Sequence, residues 1–201
     1  MMLSKITEKI VKQIVLNIPQ ITPEKAEQIE YGLYMAFSDV LKVLLLVLLS
    51  IPFGLFGKVL VAILSFGMLR VFLGGIHSKS EIACIITYFI IVYGSVGLSL
   101  VINSFSYLNL IVFPVAIILA FMYAPADMPC KPIASRKHRK KLRICGLTEL
   151  AIMFIITFTV PNVYSNIISI NTLITAVMLT PLVYKLTGNK LSNALGREVK
   201  V

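Results

Sequence analysis

From residue 33 to residue 186 the chain alternates apolar stretches with short polar links, and its Lys and Arg residues crowd into every second link. A soluble domain carries about 25% charged residues; this chain has 14% charged and 58% hydrophobic among 201 residues. Hydrocarbon leaves no water to satisfy backbone groups, and continuous apolar stretches of this length read as crossing helices. Spans are expected at about 33–51, 58–73, 81–102, 107–124, 145–161 and 166–186. The expected fold class is all-α: a polytopic membrane protein with six transmembrane helices, preceded by an N-terminal amphipathic interfacial helix. One membrane domain covering 1–201 is expected. Several spans fall short of the roughly 20 residues of a straight crossing, which calls for tilt or local thinning. Pro114 should bend the fourth.

The distribution of basic residues sets the orientation. Lys5, Lys9, Lys12 and Lys25 precede the first span, and Arg70 and Lys79 flank the second link. Lys131, Arg136, Lys137, Arg139, Lys140, Lys141 and Arg143 fill the fourth link, and Lys185, Lys190, Arg197 and Lys200 lie at the end. The 103–106 and 161–166 turns hold none. The positive-inside bias then puts both termini in the cytoplasm of a multi-pass cell-membrane protein. The formal net charge of +10 is read as topology and attraction to anionic lipid, and nucleic acid is rejected as a partner. Tyr107 and Tyr164 suit the outer interface, Tyr123 and Tyr184 the inner.

Ahead of the spans, Leu3, Ile6, Ile10, Ile14 and Ile18 share one helical face, with Lys5, Glu8, Lys9, Lys12 and Gln13 elsewhere. This reads equally as a helix lying on the membrane or one packed on the protein's own loops. No compact apolar core precedes a small-residue site, so no cleavable signal peptide is expected. Thr22-Pro23-Glu24 is a helix start: an N-cap hydroxyl, proline at the first position and an early acid. Asp39 and Lys42 have the spacing of an intrahelical pair. Cys84, Cys130 and Cys145 all fall on the cytoplasmic side, which favours reduced thiols over a disulfide frame.

The chemistry concentrates in Gly74-Gly75-Ile76-His77-Ser78-Lys79-Ser80-Glu81-Ile82-Ala83-Cys84. A thiol and an imidazole are the minimum set for thiolate catalysis. Seven residues of straight helix would hold them ~10 Å apart along the axis, whereas general-base work needs about 3 Å or one bridging water. The chain must therefore fold back before the helix begins, and Gly74-Gly75 supplies that freedom because glycine adopts positive φ without penalty. A non-helical 74–77 stretch is predicted. Ser78 and Glu81 have capping-box spacing, which would put Cys84 near a helix N-terminus. The bland alternatives are a small apolar filler for Cys84 and an interfacial His77.

Arg70 lies a few residues inside the hydrocarbon, where a charge is costly and marks a candidate functional position. It could snorkel to the interface, hold a substrate carboxylate or carbonyl near Cys84, or pair with Glu81. The basic run after Lys131 reads first as topology control and second as an electrostatic funnel for an acidic peptide. No metal or other cofactor is expected: one His and one nearby Cys do not make a ligand set, and no phosphate loop is present.

Arg70…Gly74-Gly75-Ile76-His77…Cys84 resembles the signature of the accessory gene regulator B (AgrB) family, membrane peptidases of Gram-positive quorum sensing. Tyr123-Ala124-Pro125-Ala126-Asp127-Met128-Pro129-Cys130-Lys131-Pro132-Ile133, followed by a basic run, resembles that family's second hallmark. Cys130 stands where asparagine is usual. The resemblance implies a cysteine endopeptidase acting on a short AgrD-like propeptide with an amphipathic leader, an internal Cys or Ser and an acidic tail. It implies Cys84 as nucleophile and His77 as general acid/base, with Arg70 and Gly75 in support; Gly74, Ser78 and Glu81 join the supporting set from the turn and the capping box read above. Asp127, Lys131, Arg136, Lys137, Arg139, Lys140 and Lys141 form the expected substrate-binding set, and the lipid bilayer is the second partner. A bundle this small leaves surface for a homodimer, although no small-xxx-small run specifies one. Two other readings compete: a small permease or peptide exporter with Arg70 and Asp39 lining a path, and a non-enzymatic membrane adaptor.

Overall fold

A computed structural model describes residues 2–18, 21–76, 81–103, 105, 107–126, 135–188, 192–193 and 197–198. These residues are overwhelmingly helical, as the sequence requires, with one two-residue antiparallel pairing of Ser192–Asn193 with Arg197–Glu198. They form two compact units, Met1–Gly54 and Leu55–Val201.

The first unit holds α1 (Met2–Asn17) and α2 (Pro23–Ser50). Thr22 caps α2 as its sequence predicts: its backbone is extended and its hydroxyl accepts from the Lys25 N–H at 3.4 Å, with Pro23 opening the helix. Lys42 donates to Asp39 at 3.1 Å, the anticipated pair. α1 packs along α2, but its buried positions are Thr7 and Val11, while Ile6 and Ile18 are exposed. The buried line thus runs along one flank of the expected isoleucine stripe. Lys12 and Glu8 pair at 2.9 Å on the exposed side.

The second unit contains α3 (Phe56–Leu73), α4 (Glu81–Val101), α5 (Leu108–Tyr123), α6 (Arg136–Ile156), α7 (Asn162–Met178) and the short α8 (Pro181–Leu186). On α3, Val59, Ala62, Ile63, Phe66, Leu69 and Leu73 are buried, a helical stripe, while Leu64, Met68 and Val71 point outward. α7 is the hub, packed against α3, α4 and α5, and α6 packs against α3 and α5. Lipid tails are as apolar as leucine, so such a bundle is held by close packing and by hydrogen bonds between helices. Both are present. A Cβ on Gly146 of α6 would collide with Leu73 of α3. Asn171 of α7 donates to the Ala62 carbonyl and the Ser65 hydroxyl of α3, each at 3.0 Å. Asn166 reaches the Ile102 carbonyl at 3.1 Å, and Asn109 of α5 donates to Thr157 at 2.9 Å.

Among the described residues, three helices are long and apolar enough to cross a membrane: Pro23–Ser50, Phe56–Leu73 and Ile82–Val101. α5, with Pro114 inside it, is apolar but has only 16 residues. Two expectations need correction. The sixth stretch, 166–186, is not one helix: α7 stops at Met178 and α8 starts at Pro181. Proline lacks an N–H and disfavours helical backbone before it, and Thr180 is accordingly extended, with ψ 144. The fifth helix starts earlier than residue 145, because Arg136–Arg143 belong to α6 and not to a loop. Ser135 caps it, accepting from the His138 N–H at 3.4 Å, and the Arg, Lys and Leu that follow are good helix formers.

Candidate active site

Gly74 ends α3 with φ 80, and Gly75 follows with φ 123. Both values lie where side-chain-bearing residues are strained. The chain then runs beside the residues that follow α5: Gly74 and Ala126 form a parallel bridge. Ala126 N–H donates to the Leu73 carbonyl at 2.9 Å, and Gly75 N–H donates to the Ala126 carbonyl at 3.1 Å. A Cβ on Gly74 would collide with that carbonyl, so only glycine fits the approach. The two hallmark segments of the sequence therefore touch, and residues 74–76 are non-helical as predicted. His77, Ser78 and Lys79 lie outside the described residues, as does the side chain of Glu81.

Arg70 acts on this strap from the last turn of α3. Its Nη2 donates to the carbonyl of Ile76, the residue directly before His77, and its guanidinium lies 5.6 Å from the Phe66 ring centroid. Of the roles anticipated for Arg70, the described contacts supply another: it holds a carbonyl of its own chain.

Cys84 sits in the first described turn of α4. It lines a cavity of about 30 Å³ together with Arg70, Ile76, Thr87, Tyr88, Ile91 and Met178. Cys84, Thr87, Tyr88 and Ile91 are one face of α4 by their i, i+3, i+4, i+7 spacing. The structure thus brings Cys84, Arg70 and the Gly74–Ile76 strap to one place. Cys84 and Cys145 form no disulfide, and Cys130 lies outside the described residues.

The basic run divides. Arg136, Lys137, Lys140 and Lys141 are exposed at the start of α6. Cationic side chains there add to the positive end of the helix macrodipole, which costs helix stability and concentrates positive potential. Arg139 instead turns inward and donates from Nη1 to the Pro125 carbonyl at 3.2 Å. Arg143 lies 4.6 Å from the Phe121 ring centroid. Asp127 and Lys131 fall outside the described residues.

Some participants carry no motif. Thr87, Tyr88 and Ile91 could be found by counting helical turns from Cys84; Met178, from the far end of α7, could not. Glu149 is buried on the same face of α6 as Gly146, Leu150 and Met153. Neither of its carboxylate oxygens has a hydrogen-bond partner among the described residues. A charge inside an apolar stretch was its only sequence signal. Among the described residues no three His, Cys, Asp or Glu side chains gather as a metal set.

Comparison with known families decides what this arrangement belongs to. The family model for accessory gene regulator B matches residues 4–179, from α1 to just past α7. The chain belongs to the AgrB family. It is 26% identical over 194 residues to a protein named AgrB-like from Clostridium acetobutylicum, covering 94% of this chain and 93% of that one. A second AgrB-like protein, from Clostridium perfringens, is 26% identical over 153 residues, 71% of this chain and 70% of its own length. One from Listeria innocua is 24% identical over 167 residues, 83% of this chain and 82% of its own length. No solved structure matches. AgrB membership and the apolar helices support a membrane protein with a role in the agr quorum-sensing system.

Proposed function

We propose that this chain is a membrane-embedded cysteine endopeptidase that removes the acidic C-terminal tail of a short AgrD-like propeptide and yields a cyclic thiolactone peptide. One observation carries the reading: Cys84 shares a cavity with Ile76, the residue next to His77, and Arg70 holds the Ile76 carbonyl.

In the first half, the Cys84 thiolate attacks the carbonyl at the end of the signal segment. A bond from Sγ to the acyl carbon forms, the C–N bond breaks, and His77 gives its proton to the departing amine. In the second half the propeptide's internal thiol attacks the acyl carbon, the bond to Cys84 breaks, and the ring closes. One thioester replaces another, so the exchange is nearly balanced and needs no nucleotide. Water would waste the intermediate, and the apolar walls of Ile76, Ile91 and Met178 limit its entry. A leader lying on the same membrane raises the local concentration of the attacking thiol. The exposed cations of α6 suit the acidic tail, and both termini face the cytoplasm of a Gram-positive cell.

Thiol labelling at neutral pH tests this. The enzyme reading requires Cys84 to react faster than Cys130 and Cys145, and His77→Ala to erase the difference. Equal labelling of all three favours the adaptor, and peptide transport that survives Cys84→Ala favours the permease.

A further inference from the structure

The space beside Cys84 is small. It measures about 30 Å³, and an oxygen-sized group needs about 10–15 Å³. That is room for an oxygen, not for a large side chain. Besides the thiol, three polar side chains line it: Arg70, Thr87 and Tyr88. Arg70 Nη2 donates to the Ile76 carbonyl. The Tyr88 ring lies 5.6 Å from the Phe66 ring, and its hydroxyl reaches α3, where a Cβ on Gly67 would meet it at 3.9 Å. Thr87 differs. Hydroxyls inside these helices donate to a carbonyl three or four residues back: in α4 Ser95 to Val92 at 2.9 Å and Ser99 to Val96 at 2.7 Å, in α7 Thr175 to Asn171 at 2.8 Å. Among the described residues Thr87 makes no such bond, so its hydroxyl keeps a proton to offer.

We propose that Thr87 is a catalytic residue whose hydroxyl donates to the oxyanion formed when Cys84 attacks a peptide carbonyl. The inference rests on Cys84 being the nucleophile. Residues three apart on a helix carry their Cβ atoms ~5–6 Å apart. The oxyanion lies two bonds from Sγ and needs its donor at about 2.7–3.1 Å, so one oxygen bridges that gap. As the carbon–sulfur bond forms, the carbonyl π pair moves onto oxygen. Thr87 then donates a hydrogen bond and keeps its proton. On collapse the pair returns, the C–N bond breaks, and the departing amine takes its proton from His77. Ring closure builds a second tetrahedral intermediate at the same carbon, so Thr87 serves both halves of the reaction. Ile91 and Met178 in the wall lower the local dielectric, which strengthens a hydrogen bond to a charged acceptor.

The test uses full-length protein in lipid, an AgrD-like propeptide with an acidic tail, and iodoacetamide. Thr87→Val keeps the shape of the side chain and removes the donor. It should lower kcat for tail release about a hundredfold, with KM within about threefold, as loss of a bond made only in the transition state requires. Thr87→Ser restores the donor and should bring release back to within about tenfold of the wild type. Alkylation of Cys84 by iodoacetamide should change less than about twofold in either variant, because displacement at a saturated carbon builds no oxyanion. Unchanged kcat in Thr87→Val, or an equal loss in Thr87→Ser, would overturn the donor while leaving the nucleophile in place. Alkylation slowed as far as tail release would overturn it too, making Thr87 a support for the thiol. Undiminished tail release by Cys84→Ala would overturn the nucleophile itself, and the donor with it.

Discussion

The guanidinium of Arg70 donates a hydrogen bond to the carbonyl of Ile76, and through it the end of α3 fixes the backbone that leads into His77. A charge near the membrane interior is thereby neutralised in part by a backbone dipole. The planar fork of arginine suits this contact better than the point charge of lysine. Arg70→Lys should therefore lose activity nearly as far as Arg70→Gln. Misplacing a catalytic group by about 1 Å costs about a hundredfold, so kcat for tail release should fall by that order while insertion is retained. Full activity in Arg70→Lys would leave only charge as the role of this residue.

Gly74 offers a sharper test of the strap. Its φ of 80 and its approach to the Ala126 carbonyl exclude a Cβ. Gly74→Ala should abolish most tail release and lower the unfolding midpoint. Gly32→Ala in α2, where a Cβ meets nothing within 4 Å, should leave both unchanged or stabilise slightly. The comparison needs only peptide assays and thermal unfolding in detergent.

The basic run should split by function. Lys140→Gln and Lys141→Gln remove exposed charges, so KM for an acidic-tailed propeptide should rise at low salt and recover the wild-type ratio at high salt. Arg139→Gln removes the bond to Pro125, the neighbour of the Ala126 that bridges to the strap, so kcat should fall at every salt concentration. A purely salt-dependent effect of Arg139→Gln would return that residue to the funnel.

Which features the sequence could show follows from how far each contact reaches along the chain. The cap at Thr22 and the Asp39–Lys42 pair are local, and each is legible from spacing. The break before Pro181 is local too, but the apolar residues on either side mask it when hydropathy alone is followed. The start of α6 was hidden by charge: a run of cations reads as a loop, although Ser135 and good helix formers stand there. The bridge between Gly74 and Ala126 has no local signal at all. It is a tertiary contact between two segments, visible in sequence only as two hallmarks in order. Arg70 stands out in the sequence as a charge inside an apolar stretch, but nothing in spacing shows its bond to the Ile76 carbonyl of its own chain.

The polar interior of α7 gives a stability prediction. Asn171 ties α7 to α3 through two hydrogen bonds. Such bonds inside membrane bundles contribute about 0.6 kcal/mol on average, and up to about 1.7. Asn171→Ala should lower stability by about 1–2 kcal/mol, with Cys84 labelling reduced only in proportion to the unfolded fraction. No change in the unfolding midpoint would show that the pair of bonds is replaced without loss.

The most direct test traps the intermediate. An AgrD-like propeptide whose internal cysteine is replaced by alanine can acylate Cys84 but cannot close the ring. After acid quench, intact mass should show the leader and signal segment joined to this protein through a hydroxylamine-labile bond at Cys84, with the acidic tail released in equal amount. His77→Ala should show neither, and Cys84→Ala should release no tail. Tail release by Cys84→Ala at the wild-type rate, or an adduct at any other residue, would contradict the account.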